Sequence, residues 1–442
     1  MQIANVSGKD GTFYELMKAV DSCRLSYVDY LRPVNEANAM KEFLTDEFLN
    51  RPRFEYKKID IDKLKKKRAR IQYLLREIQV RGDLTDDAKW SFIKDLGQSW
   101  YQTELILAAC DYNQNNGRLE AAKRFQRASD AAFGRMHDDT FWSLMRERIG
   151  AIDTKRIKQK DRDTYHEMID KIGVMGRNHK KRYMPRPELV REFGRQLKAL
   201  FGGILSHIPE DKEEFTPAEA ASIFNEIIKT ELNIGFEAVV NKEHLTASVS
   251  ASKKKIIIPG GRSSNYSRDE LEKIIMHELC VHTVRFASAK INGSLPVLAQ
   301  SRSGTYSRLT EEGLAKVCEQ ALDGHYDDLG IVRYLSIGLA QVCKKDFRET
   351  FEIVWRLEHF ASERTKEDCF SIVQRTFRGT GVLPMNADLY YYRGYALVWQ
   401  YIDEHIKDKN LMSTLFLSGK NDFLDQKRST LIRTMYEDKL ID

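Results

Sequence analysis

His277-Glu278-Leu279-Cys280-Val281-His282 sets two imidazoles five residues apart with a carboxylate beside the first, and Thr310-Glu311-Glu312-Gly313-Leu314-Ala315 follows further along the chain. Two imidazoles and one carboxylate are the ligand set of a catalytic zinc. A fourth position stays open for water, and a spare carboxylate can take the water's proton. The chemistry these residues could do is therefore metal-assisted hydrolysis, and the pattern predicts a zinc peptidase.

The interval needs an explanation. Histidines four apart on an α-helix lie within about 40° of each other, whereas an interval of five separates them by about 140°. Side chains so far apart cannot share one metal. One extra residue accommodated in a π-type turn would bring His282 back beneath His277, so a local helix distortion is expected between Glu278 and His282. Cys280 lies inside that turn and is read as inert buried packing rather than as a ligand.

An ordinary amphipathic helix carrying two histidines is the plain alternative, since ten histidines in 442 residues make a chance match to so short a pattern easy. The surroundings favour the metal. Upstream, residues 246–259 read as strand, turn and β-branched strand, followed by a Gly-rich loop and a helix opening near Ser267 with Asp269 and Glu270 in its first turn. A strand edge beside such a helix can hold an extended peptide by main-chain pairing. Downstream, the EEGLA run opens another helical pattern and supplies a carboxylate in the right order.

HELCVHTVR, then Asn292-Gly293, then Gly304 and Tyr306 before TEEGLA, then Phe377-Arg378-Gly379 and the Tyr-rich run Tyr390 to Tyr395, resembles the microtubule-associated tyrosine carboxypeptidase family. That family includes bacterial QEGLA-motif proteins. The resemblance spans about residues 160–400. It implies that His277, His282 and Glu312 bind Zn2+ and that Glu278 is the general base. It also implies release of a C-terminal, aromatic residue (Tyr or Phe) from peptides or protein tails. Three departures stand out: Cys280 replaces a glycine, the run from Arg285 to Asn292 is longer, and EEGLA replaces QEGLA. None removes a ligand.

A carboxypeptidase must also neutralise its substrate's terminal carboxylate and stabilise an oxyanion. Arg285, Arg378 and Arg393 are candidates for the first task, and Tyr391 or Tyr392 for the second. An endo- or aminopeptidase would use the same metal set with a different pocket. A non-catalytic regulatory or peptide-binding protein is the alternative outside enzymology, against which the intact ligands and Glu278 count.

The elements that must position these residues follow from the rest of the chain. A length of 442 residues exceeds what one compact core usually organises, while 42% hydrophobic and 31% charged residues suit a soluble protein with a sizeable interior. The expected fold is α+β and mainly helical. It has a zincin-like metallopeptidase core, a small antiparallel sheet beside the zinc helix, and an N-terminal helical region. The units are placed at 1–150 (helical), 151–400 (catalytic) and 401–442 (a helical segment packed on the catalytic unit). No run approaches about 18 consecutive apolar residues. The first residues lack a secretory pattern, and six scattered cysteines without CxxC pairs fit reduced thiols, so a cytoplasmic location is expected.

Within the first unit, Ile59-Asp60-Ile61-Asp62 is read as capping a helix that continues through Leu64, Ile71, Leu74, Leu75 and Ile78. Residues 99–109 and 119–133 are also helical, and 111–117 read as a loop. The cations Lys65 to Arg70 on the first of these helices read as a solvated face. From Lys155 to Lys198 there are 14 Lys and Arg against 6 Asp and Glu. Such a region would attract an acidic peptide tail. It lacks a nucleic-acid reader motif, so nucleic acid is not expected as a partner. Thr216-Pro217-Ala218-Glu219 marks a helix start running to about Glu231, with 236–240 as a strand pairing with 246–251 and 254–258.

Overall fold

The computed structural model describes residues 11–115, 117–155, 157–172, 183–244, 246–250, 253–261, 265–291, 305–324, 329–362, 364–417 and 423–425. Among the described residues helices dominate, with two small sheets. Among the described residues no helix is long and apolar enough to cross a membrane.

Helix starts follow local chemistry. Asp60 caps Ile61–Val80 by accepting from Lys63 N, and Thr85 caps Asp86–Gln114 in the same way. The second helix runs to Gln114, so most of the expected loop at 111–117 is its last turn. Leu119–Phe133 forms as expected. The basic run is less solvated than its composition suggests, because Lys67 Nζ donates to the carbonyls of Ser22 (3.0 Å) and Arg24 (2.9 Å), and Arg68 to Glu104 (2.7 Å).

Further along the chain, Pro187–Leu205 begins with proline at its first turn, where the missing N–H costs nothing. Thr216 and Glu219 form a reciprocal capping box at Pro217–Ile227, which continues as a π-turn to Leu232 and stops at Asn233 in the left-handed conformation (φ 46°). Ser267 and Glu270 form a second capping box at Arg268–Ile274, the helix that leads into the histidines.

The strands are β1 (Glu214–Phe215), β2 (Glu237–Asn241), β3 (Ser248–Ser250), β4 (Lys255–Pro259) and β5 (Tyr266–Ser267). β1 and β5 form a two-stranded antiparallel pair. The main sheet has the order β2-β4-β3, and it is mixed rather than the expected antiparallel: β2 runs parallel to β4, and only β3 is antiparallel to it. The reason is the short connection from Ser250 to Lys255, which closes β3 and β4 into a hairpin. β2 is left the far edge of β4. The outer side of β2 is occupied by the Asn225 amide, which accepts from Ala238 N (2.8 Å) and donates to Ala238 O (3.0 Å). β3 is therefore an edge strand of this sheet.

One apolar core runs from Phe43, Phe141 and Trp142 through Phe193, Leu279, Leu314 and Trp399, crossing position 150. The helix Thr305–Asp323, which carries EEGLA, lies at its centre. A Cβ at Gly194 would collide with the Ala321 carbonyl, and one at Gly313 would lie 2.8 Å from Gly394 Cα. Glycine permits backbone-to-backbone approach on both sides of this helix. Trp399 Nε1 donates to Gln320 Oε1 (2.7 Å), fixing the tyrosine-rich helix Leu389–His405 against it.

Candidate metal centre and active site

Residues Ile275–Thr283 form a π-helix, the distortion that the histidine interval requires. Its i to i−5 pattern is visible where Val284 N donates to Leu279 O, and the Thr283 hydroxyl reinforces it by donating to Glu278 O (2.7 Å). The rings of His277 and His282 consequently stand 4.9 Å apart, centroid to centroid, instead of on different faces.

The EEGLA helix brings Glu312 to the same point. His277 Nε2 lies 3.6 Å and His282 Nε2 3.9 Å from Glu312 Oε2, and one ligand atom from each residue falls within 4.8 Å of the others. Ligands bound at zinc distances and tetrahedral angles sit roughly 3.4 Å apart, so the separations of both imidazoles from Glu312 are close to those an ion requires.

Each imidazole is held from behind. His277 Nδ1 meets Glu319 Oε1 at 2.5 Å, and Lys316 donates to the same carboxylate. His282 Nδ1 meets Glu311 Oε2 at 3.2 Å, and the fully buried Arg285 donates to Glu311. A carboxylate at Nδ1 fixes the tautomer that leaves Nε2 free for a metal. Burial works to lower the His277 pKa, but its bonds to Glu312 and Glu319 outweigh it and raise the value to about 10. Burial works to raise Glu319, but Lys316 and His277 hold it down to about 2. Glu278, Glu311, Glu312 and Glu319 set four carboxylates against Lys316 and Arg285 in this cluster, and the raised His277 pKa adds a third positive charge while no metal is bound.

Glu278 lines the same cleft, and among the described residues its carboxylate accepts no hydrogen bond that would hold it away. Cys280 is fully buried, with its thiol pushed up by burial, and lies outside the ligand set.

The cleft encloses about 1100 Å³ and reaches from the triad to β3 on one side and to Arg333, Arg375, Arg378, Tyr390 and Tyr391 on another. Arg375 is clamped by Asp388 at 2.5 and 3.0 Å and donates to the Tyr391 hydroxyl at 3.1 Å. Arg333 lies over the Tyr391 ring at 4.0 Å. Among the described residues, Nε of Arg333 and Nε of Arg378 are buried without a hydrogen-bond partner. A second cavity of about 1400 Å³ around residues 48–62 shares Lys57 with the cleft but holds no comparable ligand set.

Of the five expected substrate contacts, Arg378 and Tyr391 line the cleft and three do not. Arg285 is fully buried on Glu311 and stacks over Phe423 at 5.6 Å, so it cannot meet a substrate carboxylate. Tyr392 packs into the core against Tyr334 (5.0 Å) and Tyr395 (5.5 Å). Arg393 turns to the far side, where it donates to the Arg135 carbonyl. Steps of about 100° per residue along this helix send neighbours to different faces, and the contact of Gly394 with Gly313 sets which face meets the cleft. The Asn292, Gly293 and Gly304 positions and the Tyr306 side chain lie outside the described residues.

Glu319, Lys316 and Arg333 were legible in principle. Glu312, Lys316 and Glu319 recur at helical spacing among buried Leu314, Ala315, Val317 and Cys318, and Arg333 is an isolated cation in an apolar helix. Arg375 carries no local signal.

A site of two imidazoles and a carboxylate in an open cleft, backed by charged partners and flanked by arginines, has the donor set of a metallohydrolase. A family model described as microtubule-associated tyrosine carboxypeptidase matches residues 178–442, more than half of the chain, and the chain belongs to that family. The family is one of carboxypeptidases, enzymes that act on C-terminal tails. No curated protein and no solved structure matches the chain.

Proposed function

We propose that the chain is a zinc carboxypeptidase that releases one C-terminal aromatic residue, tyrosine first, from peptide or protein tails. The observation that carries this reading is the convergence of His277, His282 and Glu312 across the π-turn, with Glu278 facing the same cleft. Zinc, when bound there, lowers the pKa of a water towards about 7 and polarises the scissile carbonyl.

The chain's own residues supply the rest. Glu278 takes a proton from the attacking water and returns it to the leaving amine. Glu319 and Glu311 keep the imidazoles oriented through Nδ1. Arg378, whose buried Nε makes no hydrogen bond among the described residues, and Arg333, whose Nε pairs with Asp388 at 4.0 Å, meet the terminal carboxylate, while Asp388 also holds Arg375 in place. Tyr390 and Tyr391 flank the space for the departing side chain. The arginines favour removal of a terminal residue over internal cleavage, because an endopeptidase has no terminal charge to neutralise.

Mass spectrometry of peptide ends after incubation with zinc-loaded protein tests the reading. A peptide with a free C-terminal tyrosine should lose that residue, and its amidated counterpart should not. Glu278→Gln should keep its zinc and lose activity. Equal cleavage of both peptides, or full activity in the variant, would overturn the assignment.

A further inference from the structure

The cleft is not built from the family-matched residues alone. Ser26, Tyr27, Val28, Asp29, Arg32, Pro33 and Val34, well ahead of residue 178, line it together with the metal triad. Tyr27 and Leu31 are buried in one apolar cluster with Leu309, Tyr390 and Tyr391, so this segment is seated on the EEGLA and tyrosine-rich helices. A polar chain then links it to both ends of the cleft. Gln374 Nε2, next to Arg375, donates to Glu36 Oε1 at 2.7 Å. Arg32 forks onto Glu36 at 3.1 and 2.9 Å. The remaining arm of Arg32 reaches His244 Nδ1 at 3.2 Å.

The last contact settles a tautomer. A guanidinium has only donors, so Nδ1 of His244 must be the acceptor and the ring proton sits on Nε2. Burial, then the Arg32 charge, lowers the His244 pKa to about 4, which keeps the ring neutral. Its Nε2 makes no hydrogen bond among the described residues, and the residue, half-buried, lines the cleft just before the edge strand β3. An extended peptide lying along that edge brings carbonyls that need donors.

We propose that His244, locked by Arg32 of the N-terminal region, is a substrate-positioning residue whose Nε2–H donates to a main-chain carbonyl of the peptide upstream of the residue removed. The N-terminal helical region thereby completes the peptide cleft. This rests on the peptidase reading above.

The test measures binding separately from turnover. In a Glu278→Gln background, a fluorescent dodecapeptide with a free C-terminal tyrosine is titrated by anisotropy. His244→Ala should weaken binding about fivefold to tenfold. His244→Gln, whose amide nitrogen can occupy the Nε2 position, should restore it to within about twofold, whereas His244→Asn should not. Arg32→Met, which releases the tautomer, should weaken binding as well. Free tyrosine, which has no carbonyl upstream of the residue removed, should bind all variants equally.

Unchanged dodecapeptide affinity in folded His244→Ala would overturn the inference and leave the peptidase reading intact. If that variant fails to fold, His244→Asn decides in its place: equal binding by His244→Asn and His244→Gln would also overturn it. A Glu278→Gln parent that binds no peptide at all would overturn both readings.

Discussion

Gly313 and Gly394 meet backbone to backbone: a Cβ on Gly313 would lie 2.8 Å from Gly394 Cα, and one on Gly394 would lie 3.1 Å from Gly313 Cα. The contact joins the residue after the third candidate ligand to the helix carrying Tyr390 and Tyr391. It therefore sets both the depth of Glu312 and the phase of the tyrosines. Gly313→Ala should force the helices apart, costing about 1–3 kcal/mol. Urea denaturation should show a lower midpoint with an unchanged slope, and zinc retained during dialysis against a chelator should fall.

Glu311 and Arg285 form a buried ion pair behind His282. Glu311→Gln keeps an oxygen for His282 Nδ1 but removes the negative charge facing a fully buried guanidinium. Breaking such a pair from one side costs on the order of 3 kcal/mol. The expected result is a destabilised protein, read by thermal melting, that recovers in part in the double variant Glu311→Gln with Arg285→Met. Equal stability of wild type and Glu311→Gln would remove the pair from any structural role.

His277 carries its raised pKa only while no metal is bound. With the value near about 10, the metal-free site is protonated at pH 7, whereas a metal ligand must be neutral. Zinc binding at neutral pH should thus release a proton, and apparent affinity should rise with pH up to that value. Calorimetry in buffers of different ionisation enthalpy reads the proton count. The sign is fixed by the direction of the shift: a raised histidine pKa stabilises the metal-free fold at low pH, and that contribution fades as pH climbs through the folded value.

Arg333 and Arg378 stand at the cleft wall, each with a buried Nε that makes no hydrogen bond among the described residues, that of Arg333 lying 4.0 Å from Asp388. Replacing either by methionine should raise KM for peptides with a free C-terminus by about tenfold to a hundredfold, the range of one or two charge-assisted hydrogen bonds. Metal content should not change. An unaltered KM in both variants would place carboxylate recognition elsewhere.

Ligand removal separates the three donors from their surroundings. His282→Ala or Glu312→Ala should lose zinc measured by elemental analysis, while Cys280→Ala should keep it, because Cys280 faces apolar packing. Unchanged zinc in either of the first two variants would remove that residue from the ligand set.

What the sequence determined by itself was local. A five-residue interval between the histidines demands a π-turn if they are to act together, and Ile275–Thr283 forms one. Thr216 with Glu219 and Ser267 with Glu270 announce helix starts because the capping bonds span only three residues. The tertiary structure alone decided the phase of Tyr390 to Tyr395, the burial of Arg285, the parallel pairing of β2 with β4 and the reach of residues 26–34 into the cleft. Those outcomes depend on which helix surfaces pack together and which buried charges find partners. Both are long-range contests that spacing within a few helical turns does not record.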